Sequence, residues 1–319
     1  MALDETGASR RSTASTAEGA ALLRAAGVAE RDPRVRNPDL LAPRFVAWGV
    51  RLPALVKVPG VRRLVPRIAE RMIPGSYYFE TARTRHLDTV VRSELRRGIS
   101  QLVLLGAGYD SRAYRMATEL REVVVFEVDL PAMSAIKRRK VSRIVGDPPP
   151  NVRYVEIDFT REDLGERLAA SGYDPRAATL FVWSGVAPYL PEEAVRDVLA
   201  FVAAQGSPDT SIVFDYCFRE VVEGDDAYYG APELLARLAE MGEPLRSGIP
   251  RGRTAQYLAD LGLRLEEDLG PQDAIERYLI RSDGSLYGRP MGFGGLARAC
   301  ARPPNPMGRP YRLPSERIR

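Results

Sequence analysis

Gln101-Leu-Val-Leu-Leu-Gly-Ala-Gly-Tyr-Asp-Ser-Arg-Ala-Tyr-Arg115 decides the fold. The apolar run from Leu102 to Leu105 reads as a buried parallel strand. It breaks at Gly106 and Gly108, and a polar, capping-type sequence then opens a helix. Glycines in such a turn let backbone N–H groups and a helix N-terminus approach a ligand closely, because no Cβ holds it away. A second strand, Val123-Val-Val-Phe-Glu-Val-Asp129, ends in an acid 23 residues after Gly106. Strand, glycine turn, helix, strand and acid together form the nucleotide-binding half of a doubly wound sheet.

The rest of the chain extends that sheet. Further strands are expected at 152–158, 180–184, 211–216, 263–268 and 293–300, separated mostly by helical patterns such as 191–204. Alternation of this kind specifies an α/β fold: a seven-stranded, mainly parallel sheet with helices on both faces. One longer helix is expected from Thr81 to Arg97, leading directly into the first strand. Residues 17–80 keep helical spacing but are cut by prolines, which predicts a cap of short helices. A cap insertion is expected at about 220–255, within a ligand-binding domain spanning 81–301. Residues 1–16 are Ser/Thr/Ala-rich and expected to be disordered, and 302–319 form a basic, proline-rich tail. The piece from Trp48 to Met72 mixes apolar residues with arginines; cap helices are the favoured reading, a membrane-surface segment the other.

Composition excludes several chemistries. The single histidine, His86, and two distant cysteines, Cys217 and Cys300, cannot build a His-rich or Cys-type zinc site, so no metal is expected. No G-x-S-x-G elbow accompanies His86, which removes a serine triad. The two cysteines point to a reducing, cytoplasmic setting. No run approaches the roughly 18–20 apolar residues of a membrane span, and no apolar signal core opens the chain. The net charge of +4 is uneven, because residues 1–75 carry 13 Lys/Arg against 7 Asp/Glu. No aromatic-and-basic recognition motif goes with that basic end, so no nucleic-acid partner is expected.

The ligand follows from the third position of the glycine loop. A pyrophosphate-binding loop wants a third small residue there; this chain has Ser111, preceded by Tyr109 and Asp110. An acid inside the loop repels a pyrophosphate and suits a phosphate-free, positively charged ligand. S-adenosylmethionine is such a ligand, with Asp129 placed to hold the ribose hydroxyls.

At this point the residues resemble a known family. Ala82-Arg-Thr-Arg-His-Leu-Asp88, the glycine loop Leu105–Arg115, Val125-Phe-Glu-Val-Asp-Leu-Pro131, Ile157-Asp-Phe159 and Gly185-Val-Ala-Pro-Tyr-Leu190 are similar to the leucine carboxyl methyltransferase family. The likeness is closest to its bacterial S-adenosylmethionine-dependent O-methyltransferase branch and covers about 75–300. It implies a class I, Rossmann-like methyltransferase fold. It also implies that Arg83 binds the cofactor carboxylate, that Gly106 and Gly108 line the methionine portion, and that Asp158 with Phe159 hold the adenine. Where the family usually has a glutamate contacting the methionine end, this chain has Ser184; Asp110 or a water is then expected to take part.

Candidate substrate-pocket residues are Tyr189, Ser184, Tyr78 and His86, with no catalytic base assigned. The acceptor is expected to be a small molecule, a carboxylate by preference because it is ionised at neutral pH and requires no base. Carboxylates of the cap, or Asp88, are the alternative bases for a hydroxyl acceptor, and secondary metabolism is the expected context. Two rival functions stay open: a nicotinamide-dependent oxidoreductase, and a non-catalytic protein that binds S-adenosylmethionine.

Overall fold

The computed structural model describes residues 17–46 and 64–301. The expectations for 1–16 and 302–319, and for the first part of the Trp48–Met72 segment, lie outside the described residues. Seven strands form one sheet: β1 (Gln101–Leu105), β2 (Val124–Asp129), β3 (Val152–Glu156), β4 (Thr179–Trp183), β5 (Ser211–Cys217), β6 (Leu263–Leu269) and β7 (Gly294–Ala301). Their order is β3-β2-β1-β4-β5-β7-β6. The first five pair in parallel, and β7 runs antiparallel between β5 and β6. Each strand falls within a residue or two of its expected place.

Strand periodicity builds the core. Successive side chains point to opposite faces, so Leu102, Leu104, Leu180 and Val182 join one apolar cluster while Val103, Leu105, Phe181 and Trp183 join the other. The first cluster is closed by the helix 17–27 and by helices Ser76–Arg97, Pro131–Val145 and Pro271–Tyr278. The second is closed by helices Leu164–Ala170, Glu192–Ala203 and Thr254–Asp260. No described helix is long and apolar enough to cross a membrane.

Helix Ser76–Arg97 begins earlier than the sequence pattern suggested, at Ser76 rather than Thr81. Its start is set by Gly75, whose φ of +81° is a left-handed conformation and whose Cβ, if present, would lie 2.4 Å from the Met291 backbone nitrogen. Tyr77, Tyr78 and Phe79 therefore belong to its first turn. In the segment before it, Val65–Met72 is helical, with Arg67 and Arg71 facing solvent. Between β5 and β6, helix Ala231–Met241 stands over the carboxyl ends of the strands.

The order reverses between β1 and β4, which run side by side with their connections leaving in opposite directions. Such a switch opens a crevice at the carboxyl ends of the strands, where ligands of doubly wound sheets bind.

Since Leu104 is fully buried in the central strand, Leu104→Ala should lower the unfolding free energy by about 2–5 kcal/mol. Urea denaturation followed by circular dichroism measures it; a loss below about 1 kcal/mol would show that this layer is not packed as described.

Candidate functional site

A cavity of about 1860 Å³ occupies that crevice. Arg83, Gly106, Gly108, Asp110, Asp129, Asp158, Phe159, Ser184 and Tyr189 all line it, although they come from five separate parts of the chain. Helix Ser76–Arg97 contributes Ser76, Phe79, Glu80, Arg83, Thr84 and Leu87. That spacing of three and four is one helical stripe.

Tyr78 and His86 lie off the stripe, and this corrects their assignment to the substrate pocket. The Tyr78 ring packs edge-on against Tyr77 and Tyr287, at centroid distances of 5.2 Å each. His86 is buried on another side of the helix, with Nδ1 3.1 Å from the Tyr278 hydroxyl and Nε2 3.9 Å from Glu267. Burial, helped by Arg277 and Arg298 and opposed by Glu267, lowers the imidazole pKa to about 4. It is neutral at physiological pH.

The glycine loop is tied to the acid of the second strand. Gly106 and Gly108 have φ of +61° and +40°. A Cβ on Gly106 would sit 2.3 Å from Val186 Cγ2, so only glycine fits beside the loop after β4. The Gly108 N–H donates to Asp129 Oδ2 at 2.6 Å and the Leu130 N–H to Oδ1 at 2.8 Å. Burial raises the Asp129 pKa above its ordinary value, and those two N–H groups pull it back. Beneath the loop, the buried Lys137 ammonium reaches Glu127 at 2.7 Å and the Ala107 carbonyl at 3.2 Å. Glu127 thus faces the core and supports the loop from below.

Asp158 accepts from the Thr160 N–H at 3.0 Å and hydroxyl at 2.7 Å through the same oxygen, Oδ1. The neighbouring Phe159 ring lies 6.5 Å from that of Trp183, at the cavity edge. Ser184 precedes Gly185, whose N–H donates to Asp215 Oδ1 at 2.6 Å.

A line of alternating charges runs along the cavity floor. Asp110 is held by Arg112, through the backbone N–H at 2.8 Å and through the guanidinium. Arg112 Nε binds Asp88 at 2.9 Å; Arg115 grips both Asp88 oxygens, at 2.7 and 2.5 Å, and lies 3.9 Å from Asp39. Asp39 takes Arg24 Nε at 2.9 Å, and Arg24 also reaches Glu80 at 3.1 Å and the Tyr109 carbonyl at 2.8 Å. Glu80 then binds Arg83, which donates at 2.6 Å to Asp215 Oδ2.

Electrostatics follow from this arrangement. Burial opposes the Arg83 charge, but Glu80 and Asp215 outweigh it and hold its pKa above the usual value. Burial likewise opposes ionisation of Asp110; Arg112, Lys137 and Arg115 bring it down to about 2. The expectation that Asp88 serves as a base fails, because it is buried between two guanidinium groups and does not reach the cavity. Burial pushes the Tyr189 hydroxyl and the Cys217 thiol each up to about 12, so both stay protonated at neutral pH. Sequence reading missed Arg24, Asp39, Glu80 and Asp215. Only the acid at a strand end, two residues from Cys217, could have drawn attention to the last.

The chain is similar to several known proteins. A model of the leucine carboxyl methyltransferase family matches residues 17–203. A Streptomyces avermitilis protein named as an S-adenosyl-L-methionine-dependent methyltransferase is 32% identical, over 90% of this chain and 95% of its own. One of the same name from Frankia alni is 31% identical, over 86% and 87%. Among solved structures, magnesium protoporphyrin IX methyltransferase from Synechocystis, with S-adenosylhomocysteine bound, superposes with a TM-score of 0.43 at 11% identity, covering 70% of this chain and 86% of that one.

The His86 environment predicts a pH dependence of stability. Its folded pKa lies below the ordinary 6.5, so the unfolded chain takes up the proton first as pH falls. The contribution is complete above pH 6.5 and is lost as pH drops towards 4, by about 2 kcal/mol between pH 7 and pH 5. His86→Gln should lack that part of the decline in urea titrations at the two pH values. Parallel declines for wild type and variant would contradict a neutral, buried imidazole.

Proposed function

The chain belongs to the leucine carboxyl methyltransferase family, and from that premise we propose that it methylates an oxygen of a small, largely apolar carboxylic acid. It is an S-adenosylmethionine-dependent methyltransferase. The cofactor supplies an electrophilic methyl group on a sulfonium centre. Its chemistry fits the residues here: an acid-rimmed glycine loop with no room for a side chain at Gly106, and no phosphate for Asp110 to repel. Asp129, fixed by two backbone N–H groups, keeps lone pairs for the ribose hydroxyls. Gly106 and Gly108 would line the methionine portion, and Asp158 with Phe159 the adenine.

The observation that carries the acceptor reading is how the polar groups of the cavity wall are held. Asp39, Glu80, Asp110 and Asp215 are bound to guanidinium groups, while Tyr189 and Cys217 hold their protons at neutral pH. A carboxylate, with an ordinary pKa of about 4, arrives already ionised and requires no base. The protein's work is then to align and to exclude water, worth on the order of 7–11 kcal/mol when the reacting atoms are held in line. Helix Val65–Met72 and helix Ala231–Met241 both line the cavity, with Ile68, Met72, Leu234, Leu238 and Met241. Ile68 and Met72 are each 51% exposed, apolar surface that an apolar acceptor would cover. Methionines suit such a wall because they repack around different shapes.

A hydroxyl acceptor is the second reading. Glu243, on the cap and close enough to raise the Tyr189 pKa, favours it as a carboxylate that would take the proton. The nicotinamide rival is disfavoured by Asp110, whose ionised carboxyl would face a pyrophosphate. Two buried, unpaired cysteines support a reducing, cytoplasmic setting. Secondary metabolism remains the context we favour.

Asp129→Ala should weaken S-adenosylmethionine binding by roughly 1.5–3 kcal/mol, read by calorimetry; wild-type affinity would overturn the ribose assignment. In a methyl-transfer assay, apolar carboxylic acids should be methylated and matched phenols should not. Methylation of the phenols alone would move the reading to the hydroxyl acceptor.

A further inference from the structure

The line of charges under the cavity has acids at both ends. Along it, Asp110, Asp88, Asp39, Glu80 and Asp215 alternate with Arg112, Arg115, Arg24 and Arg83. Among the described residues it therefore holds five carboxylates and four guanidinium groups. Interior acids lie between two cations each. The two terminal acids have one cationic partner apiece, and both line the cavity.

The ends are not equivalent. Asp110 gives both oxygens to Arg112 and also feels Lys137 and Arg115. Asp215 has Arg83 on Oδ2 and only the neutral Gly185 N–H on Oδ1. Its side chain is 7% exposed, so water screens it little. A buried charge with incomplete pairing is costly unless a partner arrives. The bond to Gly185 draws this carboxylate from β5 over the end of β4, beside the uncharged Ser184. Each of its oxygens still has a lone pair to offer.

We propose that Asp215 is the counter-ion for the ammonium group on the methionine arm of the cofactor, supplying the acid that Ser184 lacks. This rests on the S-adenosylmethionine reading of the same cavity. An ammonium at Asp215 completes the alternation and brings the line of five acids to charge balance. Arg83, clamped from both sides by Glu80 and Asp215, sets the direction of the Asp215 carboxylate and leaves the cavity-facing oxygens for the ligand.

Calorimetry on the full chain tests this with three ligands: S-adenosylhomocysteine, its analogue with hydrogen in place of the amino group, and 5′-methylthioadenosine, which lacks the amino-acid portion. Wild type should bind S-adenosylhomocysteine at least about ten-fold more tightly than the deaminated analogue, the strength of a charged hydrogen bond. Asp215→Asn should lose that preference, binding the first ligand about ten-fold more weakly and the other two as wild type does. Equal weakening of both carboxylate-bearing ligands would mean that Asp215 acts only through Arg83, and would overturn the proposal. So would a wild type indifferent to the amino group, a result that needs no folded variant. Failure of wild type to bind any adenosyl ligand would instead bring down the cofactor reading itself.

Discussion

Nine charged side chains can be buried beside this cavity only because their signs alternate. Removing one of the arginines would leave its neighbouring acids short of a partner in a poorly screened setting, typically a loss of several kcal/mol. Their members come from far apart in sequence: Arg24 and Asp39 from the N-terminal cap, Glu80, Arg83 and Asp88 from one helix, Asp110, Arg112 and Arg115 from the glycine loop, Asp215 from β5. The line thus fastens the cap to the sheet at the place where the ligand crevice opens. Buried ion pairs are weak evidence for stability, since an apolar replacement often serves as well. Their use here is positional. They fix the direction of carboxylates and guanidinium groups that a flexible polar surface would let wander.

The same network accounts for the chemistry that the cavity permits. An acid held well below its ordinary pKa by arginines, as Asp110 is, is a poor base, and a tyrosine and a cysteine held protonated by burial are poor nucleophiles. What remains is an apolar, partly enclosed space with oriented charge along its floor. Methyl transfer from a sulfonium gains most from such a setting, because alignment and dryness matter more than proton movement. The glycine loop completes it, with Gly106 pressed against Val186 and Gly108 bonded to Asp129 so that loop and strand end move as one piece.

Much of this was legible in the linear chain. Strands show themselves through short apolar runs, and their order along the sequence, interleaved with helices, leaves few topologies open. The glycine pair and Asp129 were readable because both belong to one local unit, a strand–turn–helix–strand whose geometry depends on neighbours in sequence. Tyr78 and His86 were misplaced for the complementary reason. Which stripe of helix Ser76–Arg97 faces the cavity depends on the rotation of the helix against the sheet, and that rotation is set by packing against residues two hundred positions away, such as Tyr287 and Tyr278.

From sequence alone came the α/β class, the seven strands, the phosphate-free character of the glycine loop and the likeness to a methyltransferase family. Each rests on local periodicity or on contiguous residues. Tertiary structure alone decided that Asp215 reaches the end of β4, that Asp88 is sealed between arginines, and that Arg24 joins the site. Charge pairing across distant segments leaves no periodic trace, because Coulomb attraction depends on separation in space and is indifferent to separation along the chain.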